Sequence, residues 1–128
     1  MAQILLVEPD KILAETYGQA LASAGHQVAV RAGAQAAILA ADQAQPDLVI
    51  LELQLVEHSG IEFLYEFRSY GEWQAIPVII HSSVPPAEFT DSWPILQGQL
   101  GVNAYLYKPH ASLQQLINAV EEQLAVKA

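Results

Sequence analysis

Cysteine is absent from this 128-residue chain, which excludes disulfide frameworks and thiolate-ligated metal sites. Basic side chains are scarce: five lysines and arginines stand against 14 acids, for a formal net charge of −9. That leaves no cationic footprint for a phosphate backbone, so neither DNA nor RNA is expected as a direct partner. No apolar run approaches the roughly 18 residues that span a bilayer, and no charged stretch precedes the apolar N-terminal one. A cytoplasmic protein without a membrane segment is expected. Repeats, low-complexity tracts and linker-like shifts in composition are also missing. Hydrophobic residues make up 52% of the chain, too many for disorder. The expectation is a single domain over residues 1–128, long enough to bury roughly two-thirds of its surface without a disulfide or a zinc ion.

What is present is a series of short, nearly continuous apolar runs at residues 3–7, 26–30, 48–53, 77–80 and 104–107. Runs without period-2 alternation predict strands covered on both faces, the pattern of a parallel sheet between helical layers. Helical spacing fills the gaps. Asp10 is a plausible N-cap for a helix carrying Ile12, Leu13, Tyr17, Ala20 and Leu21, which Gly25 ends. An alanine-rich helix follows over residues 34–44, stopping before Pro46. A third runs from Gly60 to about Tyr70, with Ile61, Phe63, Leu64 and Phe67 facing inward. Between Ser83 and Gly101 the Pro85-Pro86 pair argues against helix. A short helix is therefore expected only from about Trp93, capped by Asp91 or Ser92, with Pro94 in its first turn. The stripe Leu113, Leu116, Ile117, Val120 and Leu124 predicts a last helix over about 112–126.

Five such βα units predict an α/β fold with a doubly wound, five-stranded parallel sheet in a three-layer domain. Its functional crevice would lie at the carboxyl ends of the strands. The residues due there are Glu8, Pro9 and Asp10, then Glu52, Ser82, and the pair Lys108-Pro109. Two or three acids, a hydroxyl and a lysine would converge.

With those positions the sequence resembles the receiver domain of two-component response regulators, over essentially its whole length. The matching segments are residues 4–10 (ILLVEPD), 46–52 (PDLVILE), Gly60, 77–82 (PVIIHS) and 105–109 (YLYKP). The resemblance implies a flavodoxin-like (βα)5 fold. It also implies phosphoryl transfer from a histidine kinase to an aspartate ending the third strand, a position held here by Glu52. Of the two adjacent acids that hold magnesium in the family, the first falls on Glu8 and the second on Pro9. The family's hydroxyl falls on Ser82, its switch aromatic on Tyr105 and its phosphate-pairing lysine on Lys108. The proline usual four residues beyond the acceptor is replaced by Val56.

These departures have physical consequences. Glutamate carries its oxygens about 1.5 Å further into the crevice than aspartate, and in-line phosphoryl transfer is a positioning reaction. Magnesium loses a ligand at position 9, where Glu8 is left as the only matching acid of the pair, so neither a metal, even a weakly held one, nor another cofactor is expected. A phosphoaspartate carries a charge near −2 with three acceptor oxygens; Glu52 offers −1 and two, a partial mimic. If Glu52 reaches Ser82 and Lys108, Tyr105 is expected to follow the hydroxyl inward. An activated-like and a resting-like outcome stay open in the sequence, because one charge-assisted hydrogen bond is worth roughly 1.5–3 kcal/mol.

The expected function is an atypical, non-enzymatic pseudo-receiver signalling by protein contact. Its partner would be a signalling protein such as a histidine kinase or another regulator, or a second copy meeting through residues 93–126. No output domain is expected after Ala128, so output is expected to pass through such a partner. Two alternatives stand beside this reading. One is a receiver phosphorylated on a non-standard acceptor, which Glu52→Asp would probe. The other is a flavodoxin-like cofactor or small-molecule sensor, disfavoured because Glu8-Pro9-Asp10 offers charge and a missing N–H where a flavin phosphate wants backbone donors. Blander roles exist for the same residues: Glu8 and Asp10 as caps for the first helix, Ser82 as a turn hydroxyl, Lys108 as a surface lysine. The histidines His26, His58, His81 and His110 show no ligand spacing. Tyr65, Tyr70, Trp73 and Trp93 are read as cover for core edges before interface anchors.

Overall fold

Apolar residues on both faces of a strand require a layer on each side, and the chain supplies both. The computed structural model describes residues 2–127. Strands β1 (Gln3–Val7), β2 (Gln27–Arg31), β3 (Leu48–Leu51), β4 (Val78–Ser82) and β5 (Val102–Tyr107) pair in parallel in the order β2-β1-β3-β4-β5. The α-helices among the described residues are α1 (Lys11–Ser23), α2 (Ala34–Gln43), α3 (Gly60–Ser69) and α4 (Leu113–Lys127). Alternate strand residues feed two cores. Ile4, Leu6, Leu48, Ile50 and Ile79 pack against Leu21 of α1 and Leu116 and Val120 of α4. Leu5, Val7, Val49, Leu51, Val78 and Ile80 pack against α2 and the Phe63, Leu64 and Phe67 face of α3. This is the flavodoxin-like, doubly wound sheet.

Local sequence sets the element ends. Asp10 accepts from the Leu13 N–H at 3.0 Å and starts α1. Ser59 and Glu62 form a reciprocal capping box on α3, and Ser112 and Gln115 do the same ahead of α4. Gly25, at φ 98°, closes α1 in a conformation that side chains avoid.

Several expectations need correction. Burial on both faces holds for the central strands, but β2 is an edge strand with Gln27 and Val30 exposed, and β5, the opposite edge, is only half-buried over most of its length. The run read as 48–53 ends as strand at Leu51, and β4 extends to Ser82. Pro86 does not prevent helix: it opens a single 3-10 turn, Pro86–Phe89, where a missing N–H costs nothing. The short helix near Trp93 winds as a π-helix over Ile95–Gln99. Its start is served by the Ser92 carbonyl, which accepts from the N–H groups of Ile95 (2.9 Å) and Leu96 (3.1 Å), with no side-chain cap. Past its end, Arg68 of α3 donates to the carbonyls of Leu100 (2.8 Å), Gly101 (3.0 Å) and Trp73 (2.7 Å), tying the irregular segment to the core. Trp73 itself is a core residue, whereas Tyr65 and Tyr70 stay exposed.

Two buried positions yield predictions. A Cβ on Gly60 would lie 2.7 Å from the Glu52 carbonyl oxygen and 2.8 Å from the Leu53 Cα, backbone atoms that cannot step aside. Gly60→Ala is expected to cost about 1–3 kcal/mol in urea unfolding. Gly71→Ala, with nothing within 4 Å of its would-be Cβ, should cost little. His81 on β4 is 3% exposed, meets Tyr17 edge-on at 4.8 Å, and has no partner for Nδ1 among the described residues. Burial, seconded by the Lys108 charge, lowers its pKa from 6.5 to about 4. The unfolded chain therefore takes up a proton below pH 6.5 that the folded chain refuses, so this contribution to stability falls as pH drops towards about 4 and then levels off. That loss amounts to roughly 3 kcal/mol. Urea midpoints across this window should show it in the wild type and lack it in His81→Leu.

Candidate functional site

The topology brings four strand ends side by side. Just past β1, the Glu8 N–H donates to the Arg31 carbonyl at 2.9 Å, and just past β3 the Glu52 N–H donates to the Val7 carbonyl at 3.0 Å. Both residues thus extend the sheet's ladders by one bond and have their backbones fixed by it. Ser82 ends β4 and pairs with Tyr107, the residue before Lys108. Order β1-β3-β4-β5 places Glu8, Glu52, Ser82 and Lys108 along one rim.

Their side chains meet. The Lys108 Nζ donates to Glu8 Oε1 at 2.6 Å and to Glu52 Oε1 at 2.6 Å, with side-chain exposures of 10%, 3% and 4% for the lysine and the two glutamates. Glu52 Oε2 accepts from the backbone N–H groups of Leu53 (2.7 Å) and Gln54 (3.1 Å) and from the Ser82 hydroxyl. Ser82 Oγ in turn accepts from the Val84 N–H at 3.1 Å, and the Tyr105 hydroxyl donates to the Val84 carbonyl at 2.6 Å. A continuous path of bonds runs from Lys108 through Glu52, Ser82 and the backbone of Val84 to Tyr105, whose ring is half-buried near Phe89 and Trp93.

The electrostatics follow from burial opposed by pairing. Burial alone would raise the Glu52 pKa. Hydrogen bonds from Lys108, Ser82 and the Gln54 amide, with the lysine charge, overcome it and leave the carboxyl below its ordinary 4.5. For Lys108 burial pushes down, and bonding to Glu52 and Glu8 pushes further up, so the ammonium titrates above 10.5. Burial, with the charges of Glu52 and Glu88, pushes the Tyr105 phenol up to about 12, keeping it a hydrogen-bond donor. Breaking a buried, hydrogen-bonded ion pair by deleting one partner typically costs about 3–5 kcal/mol, far more than the pair's net contribution to stability.

One residue expected in the pocket is elsewhere. Asp10, grouped with Glu8 from the sequence, is exposed and its carboxylate caps α1; only its backbone N–H serves the cluster, donating to Glu8 Oε2 at 3.2 Å. The helix N-terminus competes for that side chain and takes it. Glu8, Glu52, Ser82, Lys108 and Tyr105 do come together. The sequence pointed to none of the Leu53 and Gln54 amides or the Val84 carbonyl, since backbone donors and acceptors carry no residue signature. Nor did it single out His81 beside the cluster, although a histidine inside the run PVIIHS is the signal that could have found it.

Comparison with known proteins shows the family. The family model of the response regulator receiver domain matches residues 4–121. The chain is similar to the KDP operon transcriptional regulatory protein KdpE of Escherichia coli (strain K12), 34% identical over 109 residues, covering 85% of this chain and 45% of KdpE. It thus spans less than half the length of that relative. The polar-differentiation response regulator DivK of Brucella ovis is 29% identical over 122 residues, 94% of each chain. Among solved structures, the Vibrio cholerae chemotaxis protein CheY4 shares the fold with a TM-score of 0.84 at 20% identity, covering 95% of this chain and 98% of CheY4. No helix among the described residues is long and apolar enough to cross a membrane. With the family match running from β1 into α4 and the rim residues at its strand ends, the chain belongs to the response regulator receiver domain family.

Proposed function

We propose that this receiver module signals through protein contact without carrying a phosphoryl group. Glu52 acts as a fixed negative charge where the family's acceptor aspartate stands. One observation carries the reading: the Glu52 carboxylate is buried and already engaged by four donors, three on Oε2 and the Lys108 ammonium on Oε1. An attacking carboxylate oxygen needs a free lone pair in line with the donor phosphorus, and the longer side chain displaces both oxygens by about 1.5 Å relative to aspartate. On this reading the module is not an enzyme and works in the cytoplasm.

The charge is also constant with pH. Glu52 has a folded pKa below 4.5, so the stability that its pairing contributes is complete above that value and is lost as pH falls through the folded one. Lys108 has a folded pKa above 10.5, so its contribution is complete below 10.5 and is lost as pH rises through the folded value. Between those limits neither group titrates, and the bonds through Ser82 and Val84 hold Tyr105 in one place. The partner is a signalling protein, a histidine kinase or another regulator, or a second copy. The surface from Trp93 to Val126, beside Tyr105, is the candidate for that contact; Ile95 on it is exposed.

The test is chemical. Incubated with acetyl phosphate and magnesium, the protein is expected to keep its intact mass and to form no hydroxylamine-labile acyl phosphate. One phosphoryl group per chain, abolished by Glu52→Gln, would overturn the proposal.

A further inference from the structure

The family's chemistry implies a magnesium ion beside the acceptor, and the residues here do not fit one. A magnesium site wants near-octahedral oxygens at about 2.0–2.1 Å, including carboxylates with lone pairs facing the ion. Position 9 is proline, and the Asp10 carboxylate faces away to cap α1. Among the described residues no group of three or more His, Cys, Asp or Glu side chains is placed to hold a metal. Two carboxylates remain, and the oxygen that each turns towards the other, Oε1 of Glu8 and Oε1 of Glu52, is bonded to the same nitrogen at 2.6 Å.

From this geometry we infer that the Lys108 ammonium is the resident cation of the crevice, standing between Glu8 and Glu52 in place of a divalent ion, so that the native module does not respond to magnesium. The inference rests on the fixed-charge reading of Glu52 and deepens it. An ion seated between the two Oε1 atoms would have to expel the ammonium or lie in contact with it. Contact sets like charges together in a site with little water to screen them. Expulsion strips a buried ammonium of both its carboxylates. The remaining oxygens are not spare: Glu8 Oε2 accepts from the Asp10 N–H, and Glu52 Oε2 from Leu53, Gln54 and Ser82. Ammonium suits this site better than magnesium does, because its hydrogen bonds need no octahedron and it is tethered to β5, arriving without loss of translational freedom.

The ammonium, on this inference, masks a two-carboxylate cation site that its removal would open. Manganese serves as the probe, followed by the electron paramagnetic resonance of the free ion. Wild-type protein is expected to bind no manganese saturably, and its thermal midpoint is expected to be the same with magnesium as with sodium at matched ionic strength. Lys108→Met should take up one ion per chain, at least about tenfold more tightly than wild type, with magnesium raising its midpoint; adding Glu8→Gln should remove the gain. A Lys108→Met protein that folds only when a divalent ion is present gives the same support. A folded Lys108→Met protein that gains nothing overturns the inference.

The wild type alone also decides. In a manganese titration followed by NMR, saturable broadening centred on the amides of Asp10, Leu53 and Gln54 would overturn the assignment even if the variant never folded. Diffuse, unsaturable broadening upholds it. No phosphodonor enters these experiments, so an acyl phosphate would sink the fixed-charge reading without changing the metal result. Manganese binding by the wild type would sink the ammonium assignment while the mass of the phosphodonor-treated protein stayed as expected.

Discussion

One lysine amino group, held at 2.6 Å from two buried carboxylates, is the constraint on which the functional end of this molecule depends. Each glutamate is nearly inaccessible, and for Glu52 an unpaired carboxylate at that depth would take up a proton or force the rim open. Lys108 prevents both. It does so from β5, two strands away from the Glu52 end of β3 and three from the Glu8 end of β1, so the ion pair also pins the open edge of the sheet to its centre. The sheet order makes that reach possible.

The central strands were legible in the sequence because their environment is uniform. Residues of β1, β3 and β4 are buried on both faces, so apolar runs mark them directly. Edge strands carry a mixed signal: Gln27 and Val30 on β2 point to solvent, and a short run does not say which strand lies at the edge. The stretch after β4 was harder still. Three prolines, Gly98 and Gly101 weaken any helical pattern there. What holds it is Arg68, which sits 32 residues before Leu100 in the chain, a distance that no window of local periodicity sees. The candidate site was legible as a set of residue types at strand ends, as far as Glu8, Glu52, Ser82, Tyr105 and Lys108. It was not legible as a network, because half of the Glu52 donors are backbone amides. Asp10 shows the limit from the other side: the same carboxylate suits a pocket or a helix cap, and only the geometry of the chain turn after Pro9 decides.

The rim is also stiffened from below. Gly60 lets α3 approach so closely that its amide bonds the Leu53 carbonyl at 2.8 Å, and Leu53 is the residue whose own N–H holds Glu52. Packing between α3 and the sheet is thereby tied to the orientation of the carboxylate. On the neighbouring strand, His81 turns the other way, into the α1 and α4 layer against Tyr17, while Ser82 turns to Glu52. Period-2 alternation thus puts a titratable ring and a hydroxyl on opposite faces of one strand end, where one affects stability and the other shapes the site.

A phosphorylated receiver changes state because a charge arrives and leaves. Under the fixed-charge reading that variable is gone: carboxylate, ammonium and phenol keep their protonation between the acidic limit of Glu52 and the alkaline limit of Lys108, and the bonds from Glu52 to Tyr105 keep one arrangement. Regulation then has to enter from outside the crevice, as a change in which partner is present or in how much of this chain there is. A ligand shifts a conformational equilibrium only by its differential affinity for the two states. Spending the network's free energy on one state therefore means that a partner meets a surface already in its final form, with no conformational fraction subtracted from its affinity. Under the same reading, the surface that a partner meets includes the irregular segment from Trp93 to Gln99, which lies next to Tyr105, departs from an ordinary helix and is anchored past its end by the bond from Arg68 to the Leu100 carbonyl.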